Sequence, residues 1–465
     1  MKTETIENRP YAVIAVGDSA ELRRTLTQED IDLFAAASGD YNPTHVDEGY
    51  VQESQLGPLT AHSMWGGALF SSVLGNLLPG PGTVYRSQTL RFHRPIQLGD
   101  IVTVKVTAKE KQADRIVLFD CQCLTQTGEA VITGMAEVIA PAEKIVRSQV
   151  DLPGFEKHHR EVFENLIALG DELDPCPTAI AHPCDESSLK AAVEGAKAGF
   201  ILPTLVGPQA KILAVADKYD LDLSGLDIID VPHSHAAADK AVELARHGEV
   251  EMLMKGSLHT DEIMGAVVSS STGLRTERRL SHAFIMDVPT YPKPLIISDA
   301  AINIFPNLDD KRDICQNAID LAHAFRIETP KVAVLSAVET VRTKIPSTIE
   351  AAALCKMAER GQITGAILDG PLAMDNAISK KAAETKGIVS VVAGDADILI
   401  APDLEAGNIL VKQLAFLANA DGAGLVLGAK VPIVLTSRAD SLRVKLASCA
   451  VGKLRVYYRR RNQGG

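Results

Sequence analysis

The chain has 465 residues, about three times the length of a typical domain, so two or three hydrophobic cores are expected. Hydrophobic residues make up 46% of it and charged residues 23%, which are ordinary values for a globular protein. The formal net charge of −12 argues against nonspecific binding to nucleic acid.

Seven cysteines are scattered along the chain, which predicts a reducing cytoplasm rather than a disulfide framework. The first residues are polar, so we expect no signal peptide. No uninterrupted apolar run reaches about 18 residues, and a membrane span is therefore not expected.

Residues 1–140 have the pattern of helices followed by a sheet. Thr27 and Asp30 form a capping signal for a short helix over 30–37, and 62–78 is apolar enough for a buried helix. Short turns join the strands that follow, so these strands must be antiparallel, and we expect them to curl around the second helix. The predicted strands are 83–92, 101–109, 115–125 and 130–139.

A polar stretch flanked by prolines, 141–154, is interpreted as an interdomain linker. Residues 155–465 then alternate strand and helix patterns, which predicts an open α/β domain with a mainly parallel sheet. The predicted strands include 202–206, 227–230, 251–254, 295–297, 332–335, 366–368, 398–400, 425–427 and 433–435. The predicted helices include 187–198, 236–246, 311–325 and 347–359.

The loop 38–47 carries the most informative short motif of the first part. Asp40 and His45 lie in a segment that Gly39 and Pro43 bend sharply. A carboxylate beside an imidazole can share one water, with one group accepting its proton and the other returning a proton to carbon. The alternative is that the polar side chains only cap turns and that His45 is a surface residue.

The run 34–47, followed by Thr-Ala-His-Ser-Met at 60–64, resembles the MaoC-like (R)-specific enoyl-CoA hydratases. The resemblance covers roughly residues 20–140, and its Gly-Asp-x-Asn-Pro-x-His core is specific. It implies a hotdog fold, in which an antiparallel sheet wraps a central helix. It also implies interconversion of a 2-enoyl-CoA with a 3-hydroxyacyl-CoA.

By this resemblance, Asp40 and His45 are the catalytic pair and Asn42 supports them. Backbone N–H groups near Ser63, at the start of the central helix, are expected to polarise the thioester oxygen. Two positions depart from the family pattern. Thr44 replaces an aliphatic residue, and Ser63 replaces a glycine.

Four segments stand out in the second part. Residues 273–279 hold three arginines, whose guanidinium groups suit phosphate. The segments 368–375, 402–408 and 434–441 each follow a predicted strand, where open α/β sheets hold their ligands. Read singly, each segment is also an ordinary basic turn, strand–helix turn or helix cap.

Together these segments resemble the phosphate acetyl/butyryltransferase family, from about Phe155 to near the C-terminus. The resemblance implies an isocitrate/isopropylmalate dehydrogenase-like fold. It implies that phosphate attacks an acyl-CoA thioester directly, giving an acyl phosphate and CoA without a covalent enzyme intermediate. The residues Gly-Leu-Arg-Thr at 273–276 and Thr-Ser-Arg-Ala-Asp-Ser at 436–441 look closer to the butyryl branch of the family than to the acetyl branch.

The same resemblance assigns Arg438 to phosphate, Ser437 to support of the thiol, and Arg275 to contact with CoA or phosphate. Acetyl-branch members place an Asp base a few residues after the Ser-Arg pair, where this chain has Arg443-Val444. Asp440 is the nearest carboxylate, and its role as base is a hypothesis. The other candidate binding residues are Asp403, Gly407 and Asn408.

The expected ligands are acyl-CoA thioesters, coenzyme A and phosphate as substrates, with no tightly bound cofactor. No metal site is expected, because His158-His159 and His233-Ser-His235 lack partners at a recognised spacing, so surface or capping roles are preferred. Cys121 and Cys123 share one strand face and are expected to pack in the core. The resemblances also predict a homodimer or higher homo-oligomer.

Two alternatives stay open. In the first alternative, the transferase-like domain is a noncatalytic module that senses acyl-CoA or holds an oligomer together. Retention of Ser437, Arg438 and Arg275 favours chemistry there, whereas Arg443-Val444 favours regulation. In the other alternative, the hotdog domain only serves to form dimers. The presence of Asp40 and His45 argues against this alternative.

Overall fold

The computed structural model describes residues 5–53, 59–148, 168–170, 173–436 and 440–463. The chain forms two compact units, Met1–Leu152 and Pro153–Gly465. Within the described ranges, no helix is both long enough and apolar enough to cross a membrane.

The strands of the N-terminal unit are β1 (Thr5–Glu7), β2 (Ser19–Thr25), β3 (Val84–Phe92), β4 (Ile101–Lys111), β5 (Ile116–Thr125), β6 (Ala130–Ile139) and β7 (Val146–Ser148). Its helices are α1 (Gln28–Ser38), α2 (Pro43–Val46), α3 (Glu48–Glu53) and α4 (Ser63–Asn76). Five strands form an antiparallel sheet in the order β2-β4-β5-β6-β3. Strands β1 and β7 pair separately, so part of the segment predicted as a linker is a strand.

The helix α4 and the inner face of this sheet form the core of the N-terminal unit. Phe70, Val73 and Leu74 of α4 are fully buried, and so is every second residue from Val102 to Ala108 on β4. This alternation is what a strand with one buried face requires. The predicted hotdog arrangement, an antiparallel sheet around a central helix, is confirmed.

Local signals in the sequence also have their predicted effect. Thr27 and Asp30 form a reciprocal capping box at the start of α1. Cys121 and Cys123 are buried on the inner face of β5. Burial raises the pKa of Cys121 to about 11 and that of Cys123 to about 12, so both thiols stay protonated and pack as apolar groups.

The strands of the C-terminal unit are β8 (Cys176–Ala181), β9 (Ile201–Gly207), β10 (Asp227–Asp230), β11 (Met252–Lys255), β12 (Ser281–Asp287), β13 (Leu295–Ser298), β14 (Lys331–Leu335), β15 (Ile367–Leu372), β16 (Ile398–Ile400), β17 (Asp421–Leu427) and β18 (Ile433–Val434). Its helices are α5 (Glu186–Lys197), α6 (Gln209–Lys218), α7 (Ser234–His247), α8 (Thr260–Val268), α9 (Leu308–Ala324), α10 (Pro346–Glu359), α11 (Met374–Ile378), α12 (Lys380–Thr385), α13 (Leu404–Leu417) and α14 (Leu442–Gln463).

These strands form one sheet in the order β10-β9-β8-β11-β18-β17-β12-β13-β16-β14-β15. The pairs on both sides are parallel, and only the central pairs among β18, β17, β12 and β13 are antiparallel. The predicted α/β unit with a mainly parallel sheet is therefore confirmed. The likeness to isocitrate and isopropylmalate dehydrogenases stays a prediction.

Replacement of Phe70 by Ala tests whether α4 holds the N-terminal unit together. Loss of this fully buried ring should lower the free energy of unfolding by about 3–5 kcal/mol. Trp65 is the only tryptophan of the chain and is itself 6% exposed, so its fluorescence in a urea titration reports on this unit. Leu98→Ala, at a side chain that is 41% exposed, is the matched control and should cost far less. Equal losses for the two variants would contradict the role of α4.

Candidate functional site

The Asp40 loop is shaped by hydrogen bonds within itself. Helix α1 ends at Ser38, and Gly39 closes it in the left-handed conformation with φ 74°. The backbone N–H of Asp40 donates to Ser38 Oγ at 3.2 Å, and the backbone N–H of Asn42 donates to Asp40 Oδ1 at 3.2 Å. The Asp40 carboxylate is therefore held on a turn that its own loop stabilises.

Asn42 begins the short helix that carries His45. Its Oδ1 accepts hydrogen bonds from the backbone N–H of Thr44 at 3.2 Å and from Thr44 Oγ1 at 3.1 Å. Pro43 occupies the first position of this helix, α2, where its missing N–H costs nothing. Asn42 thus acts as a helix cap that places His45.

His45 has a defined proton position. Its Nδ1 lies 2.8 Å from the carbonyl oxygen of Thr60, which can only accept a hydrogen bond. The proton of the neutral ring is therefore on Nδ1, and Nε2 keeps its lone pair as a proton acceptor. Thr60 is itself fixed by a β-bridge to Gln97.

His62 is a residue of this site that the sequence analysis did not assign. It is 2% exposed, and its Nε2 lies 2.8 Å from the carbonyl oxygen of Asp40, to which it donates. Its ring centroid lies 4.0 Å from that of His45. Ligand atoms of Asp40, His45 and His62 all lie within 4.8 Å of one another. Only its position beside Ser63, in the motif at 60–64, could have indicated this role.

Ser63 is the first residue of α4 and is exposed. The first backbone N–H groups of a helix have no partner within the helix, and the helix dipole is positive there. The start of α4 can therefore polarise a carbonyl oxygen placed beside the loop. The N-cap, His62, does not use its side chain to cap this end.

A cavity of about 650 Å³ is the candidate site of the C-terminal unit. Polar side chains of Lys255, His282, Asn408 and Asp440 line it together. Its apolar wall is formed by Leu258, Phe284, Met286, Val411, Phe416 and Val444. A pocket with a few convergent polar groups on an apolar wall is typical of a site for a small organic ligand.

Ser437 and Arg438 lie outside the described residues. The residues on either side of them, Thr436 and Asp440, both line the cavity.

Asp440 and its neighbours define the electrostatics of the cavity. Lys445 Nζ donates to the backbone oxygen of Asp440 at 3.1 Å. Burial lowers the pKa of Lys445, and the negative charges of Asp440 and Asp185 offset part of this shift. Arg443, which stands near where the acetyl branch has its Asp, forms an ion pair with Asp421 at 3.4 Å. Asp440 is thus the carboxylate of this segment that faces the cavity.

His282 and Lys255 are further cavity residues that the sequence analysis did not assign. His282 is fully buried, and its Nε2 lies 3.4 Å from the carbonyl oxygen of Leu435, just before Thr436. Burial lowers the pKa of His282, and nearby Asp299 and Asp440 oppose this shift without reversing it. The imidazole is therefore neutral near pH 7.

The predicted binding residues at 402–408 have different roles. Asp403 is the N-cap of α13, and its Oδ1 accepts from the backbone N–H of Ala406 at 2.8 Å. Gly407 is buried, and a Cβ added there would lie 2.4 Å from the backbone oxygen of Asp299. Asn408 lines the cavity, and its Nδ2 donates to the backbone oxygen of Ala300 at 3.1 Å. Asp403 caps α13 and Gly407 lets this helix pack closely, whereas the Asn408 side chain reaches the cavity.

Arg275 lines a different cavity, of about 530 Å³. It shares this cavity with Arg278 and Arg279, which are paired with Asp320 and Asp310 respectively. Among the described residues, Arg275 forms no such ion pair. The structure therefore does not bring Arg275 together with Asp440 around one cavity.

His233 has the capping role that was expected for it. Its Nδ1 accepts from the backbone N–H of Ala236 at 3.2 Å at the start of α7. His235 is 72% exposed, and its Nδ1 lies 3.0 Å from Glu262 Oε1. His158 and His159 lie outside the described residues.

Two family models match different parts of this chain. Residues 234–452 match the one described as phosphate acetyl/butaryl transferase. Residues 14–119 match the one described as MaoC like domain. The matches fall on the units that contain the Asp440 cavity and the Asp40 loop, respectively.

Curated relatives match the second part over most of their own length. The phosphate acetyltransferase of Rhizobium meliloti is 64% identical over 301 residues, which is 65% of this chain and 95% of that protein. The phosphate butyryltransferase of Clostridium acetobutylicum is 41% identical, over 63% of this chain and 97% of that protein. Sequence identity is thus higher with the acetyltransferase than with the butyryltransferase, although the residues of the two motifs look closer to the butyryl branch.

A solved structure agrees with these relatives. The branched-chain phosphotransacylase of Enterococcus faecalis is 28% identical and has a TM-score of 0.54. The likeness covers 61% of this chain and 99% of that one. The α/β architecture of the C-terminal unit is therefore that of a phosphotransacylase.

Gly407→Ala tests the close approach of α13 to the cavity wall. The added Cβ would overlap a backbone oxygen, so the variant should lower the stability of the C-terminal unit by about 1–3 kcal/mol. Gly265→Ala is the matched control, because Gly265 also lies in a helix but its Cβ would meet nothing within 4 Å. The control should raise stability by up to roughly 1 kcal/mol. Urea titrations followed by far-ultraviolet circular dichroism measure both, and a stabilising Gly407→Ala would refute the packing role.

Proposed function

We propose that this chain, which belongs to the phosphate acetyl/butyryltransferase family and carries a MaoC-like domain ahead of it, is a bifunctional acyl-CoA enzyme. The C-terminal unit moves an acyl group between CoA and inorganic phosphate. The N-terminal unit hydrates a 2-enoyl-CoA to a 3-hydroxyacyl-CoA. The observation that carries the first activity is the cavity that Lys255, Asn408 and Asp440 line together against an apolar wall.

In the transferase reaction a phosphate oxygen attacks the thioester carbonyl carbon, the C–S bond breaks, and CoA leaves as the thiolate. Arg438 holds the phosphate and Ser437 supports the sulfur, in keeping with the family resemblance. Lys255 also lines the cavity, where a low dielectric strengthens a hydrogen bond from its Nζ to phosphate. In the reverse direction Asp440, which lines the cavity, is our candidate to accept the thiol proton.

Acetyl-CoA is the acyl donor that the relatives favour, because the 64% identical protein is named a phosphate acetyltransferase. The 41% identical butyryltransferase makes butyryl-CoA the second candidate. Phosphate-dependent release of CoA from acetyl-, butyryl- and hexanoyl-CoA by the full-length protein ranks the three donors directly.

The observation that supports the hydration is the orientation of the His45 ring beside Asp40. Since Nδ1 donates to Thr60, the lone pair of Nε2 is available to a water molecule. One member of the pair accepts a proton from this water, whose oxygen bonds to C3 of the enoyl group. The pair then delivers this same proton to C2 and regains its starting state, and the start of α4 stabilises the charge on the thioester oxygen.

A homo-oligomer joined through the hotdog sheet is part of this proposal. Strand β3 is an edge of the sheet and is mostly exposed along its length. Val84, Tyr85 and Phe92 are 56%, 37% and 42% exposed. An exposed apolar edge strand favours pairing with another copy.

Asp40→Asn should lower the rate of hydration by roughly 10²–10⁴-fold, because the amide cannot exchange a proton with water. Loss of the enoyl thioester absorbance of 2-butenoyl-CoA measures this rate. Asp47→Asn is the matched control, since Asp47 lies in the same loop and its Oδ1 accepts from the backbone N–H of Tyr50. Transferase activity should be unchanged in both variants. An unchanged rate of hydration in Asp40→Asn would contradict the assignment of Asp40 to the acid–base pair.

Arg438→Ala should raise the phosphate KM or lower transfer by roughly 10²–10³-fold, because a charge that binds the attacking anion is lost. Hydration by the same preparation reports that the protein is intact. Arg360→Ala, at an exposed arginine that follows α10, is the control and should keep the parent kinetics. Normal transfer in Arg438→Ala would mean that phosphate binds elsewhere.

A further inference from the structure

We propose that Asp40, His45 and His62 form a binding site for a divalent transition-metal ion such as Zn²⁺, and that the bound ion inhibits hydration. Only the inhibition rests on the proposed hydratase function. Binding of the ion depends on the three side chains alone, whose ligand atoms all lie within 4.8 Å of one another. Within the described part of the chain, no other group of three or more His, Cys, Asp or Glu side chains converges in this way.

Each side chain has one atom left for a metal. His45 Nδ1 donates to the Thr60 carbonyl oxygen at 2.8 Å, which leaves Nε2 as the ligand. His62 Nε2 donates to the Asp40 carbonyl oxygen at 2.8 Å, which leaves Nδ1. The Asp40 carboxylate accepts the Asn42 N–H through Oδ1, so Oδ2 completes a set of two nitrogens and one oxygen.

The second observation is the buried nitrogen of His62. The side chain is 2% exposed, and Nδ1 has no hydrogen-bond partner among the described residues. A buried polar atom without a partner costs roughly 1–3 kcal/mol. Coordination of a metal by this nitrogen removes that cost.

The surroundings of both imidazoles match those of metal ligands. A histidine that binds a metal usually donates its other ring N–H to a carbonyl or carboxylate, which fixes the tautomer and the ring orientation. His45 and His62 both donate to backbone carbonyl oxygens. Two imidazoles and one carboxylate suit Zn²⁺, whereas Mg²⁺ and Ca²⁺ prefer oxygen ligands alone.

Inhibition follows because the metal uses the same electron pairs as the chemistry. A metal on His45 Nε2 occupies the lone pair that would accept a proton from water. Its charge also neutralises the Asp40 carboxylate and keeps it from accepting a proton. The Asp440 cavity belongs to the other compact unit, and none of its lining residues is among the three proposed ligands.

The test is a Zn²⁺ titration of full-length protein freed of metal, in competition with a chromophoric chelator. The parent should bind one Zn²⁺ at this site. Loss of a residue that only supports a metal ligand weakens binding by up to about 100-fold, so loss of the ligand itself in His62→Gln should weaken Zn²⁺ binding by at least that much. Asp40→Asn is a second ligand variant and should weaken it as well. His93→Gln is the matched control, because His93 is an exposed histidine of the same unit whose Nε2 bonds Thr133 Oγ1. Trp65 fluorescence shows that each variant is folded.

Hydration of 2-butenoyl-CoA provides the second readout, because it releases no thiol that would chelate the metal. Zn²⁺ should inhibit the parent and His93→Gln, a chelator should restore both, and Mg²⁺ should have no effect. Equal Zn²⁺ affinity in the parent and His62→Gln would overturn the site, and stimulation by Zn²⁺ would overturn the inhibition. If Zn²⁺ binds as expected but the metal-free protein does not hydrate, the proposed function fails while the metal site stands.

Discussion

Burial of α4 inside the antiparallel sheet is the constraint on which the N-terminal site depends. Phe70, Val73 and Leu74 are fully buried there, so the hydrophobic effect fixes the position of this helix. His62 directly precedes α4, and its Nε2 donates to the Asp40 carbonyl oxygen. The exposed loop that carries Asp40 is therefore tied to the buried helix α4, which supplies the rigid support that the proposed acid–base pair needs.

The C-terminal cavity depends instead on close approach between backbones. Gly407 lets α13 approach the backbone oxygen of Asp299, and Ser298 Oγ donates to the His282 carbonyl oxygen at 2.8 Å. Asp299 in turn accepts from the backbone N–H groups of Ala301 and Ile302. The strand ends and the helix beside the cavity are thus held by this close backbone approach and by hydrogen bonds from side chains to backbone groups.

The sequence predicts the elements that have a clear period and misses those that do not. The aliphatic runs of β4 and β16 and the capping box of α1 are local signals. Strand β12 is not predicted from the sequence because Ser281, His282 and Asp287 interrupt its apolar run, although all three are buried. Strand β2 is a polar edge strand and has no alternation to detect. The hydratase motif places Asp40 and His45 correctly in one loop, whereas the separation of Arg275 from the Asp440 cavity is set by long-range packing.

Two histidines show why the missing residues could not be found from spacing. His62 and His282 are both buried, and each has an Nδ1 without a partner among the described residues. Such an atom is costly, so a fold tolerates it where a ligand or a reaction uses it. Their surroundings separate their roles. His282 packs on Phe284 at 4.3 Å in an apolar wall, where burial keeps it neutral. His62 faces a second imidazole and a carboxylate, a donor set that suits a transition-metal ion.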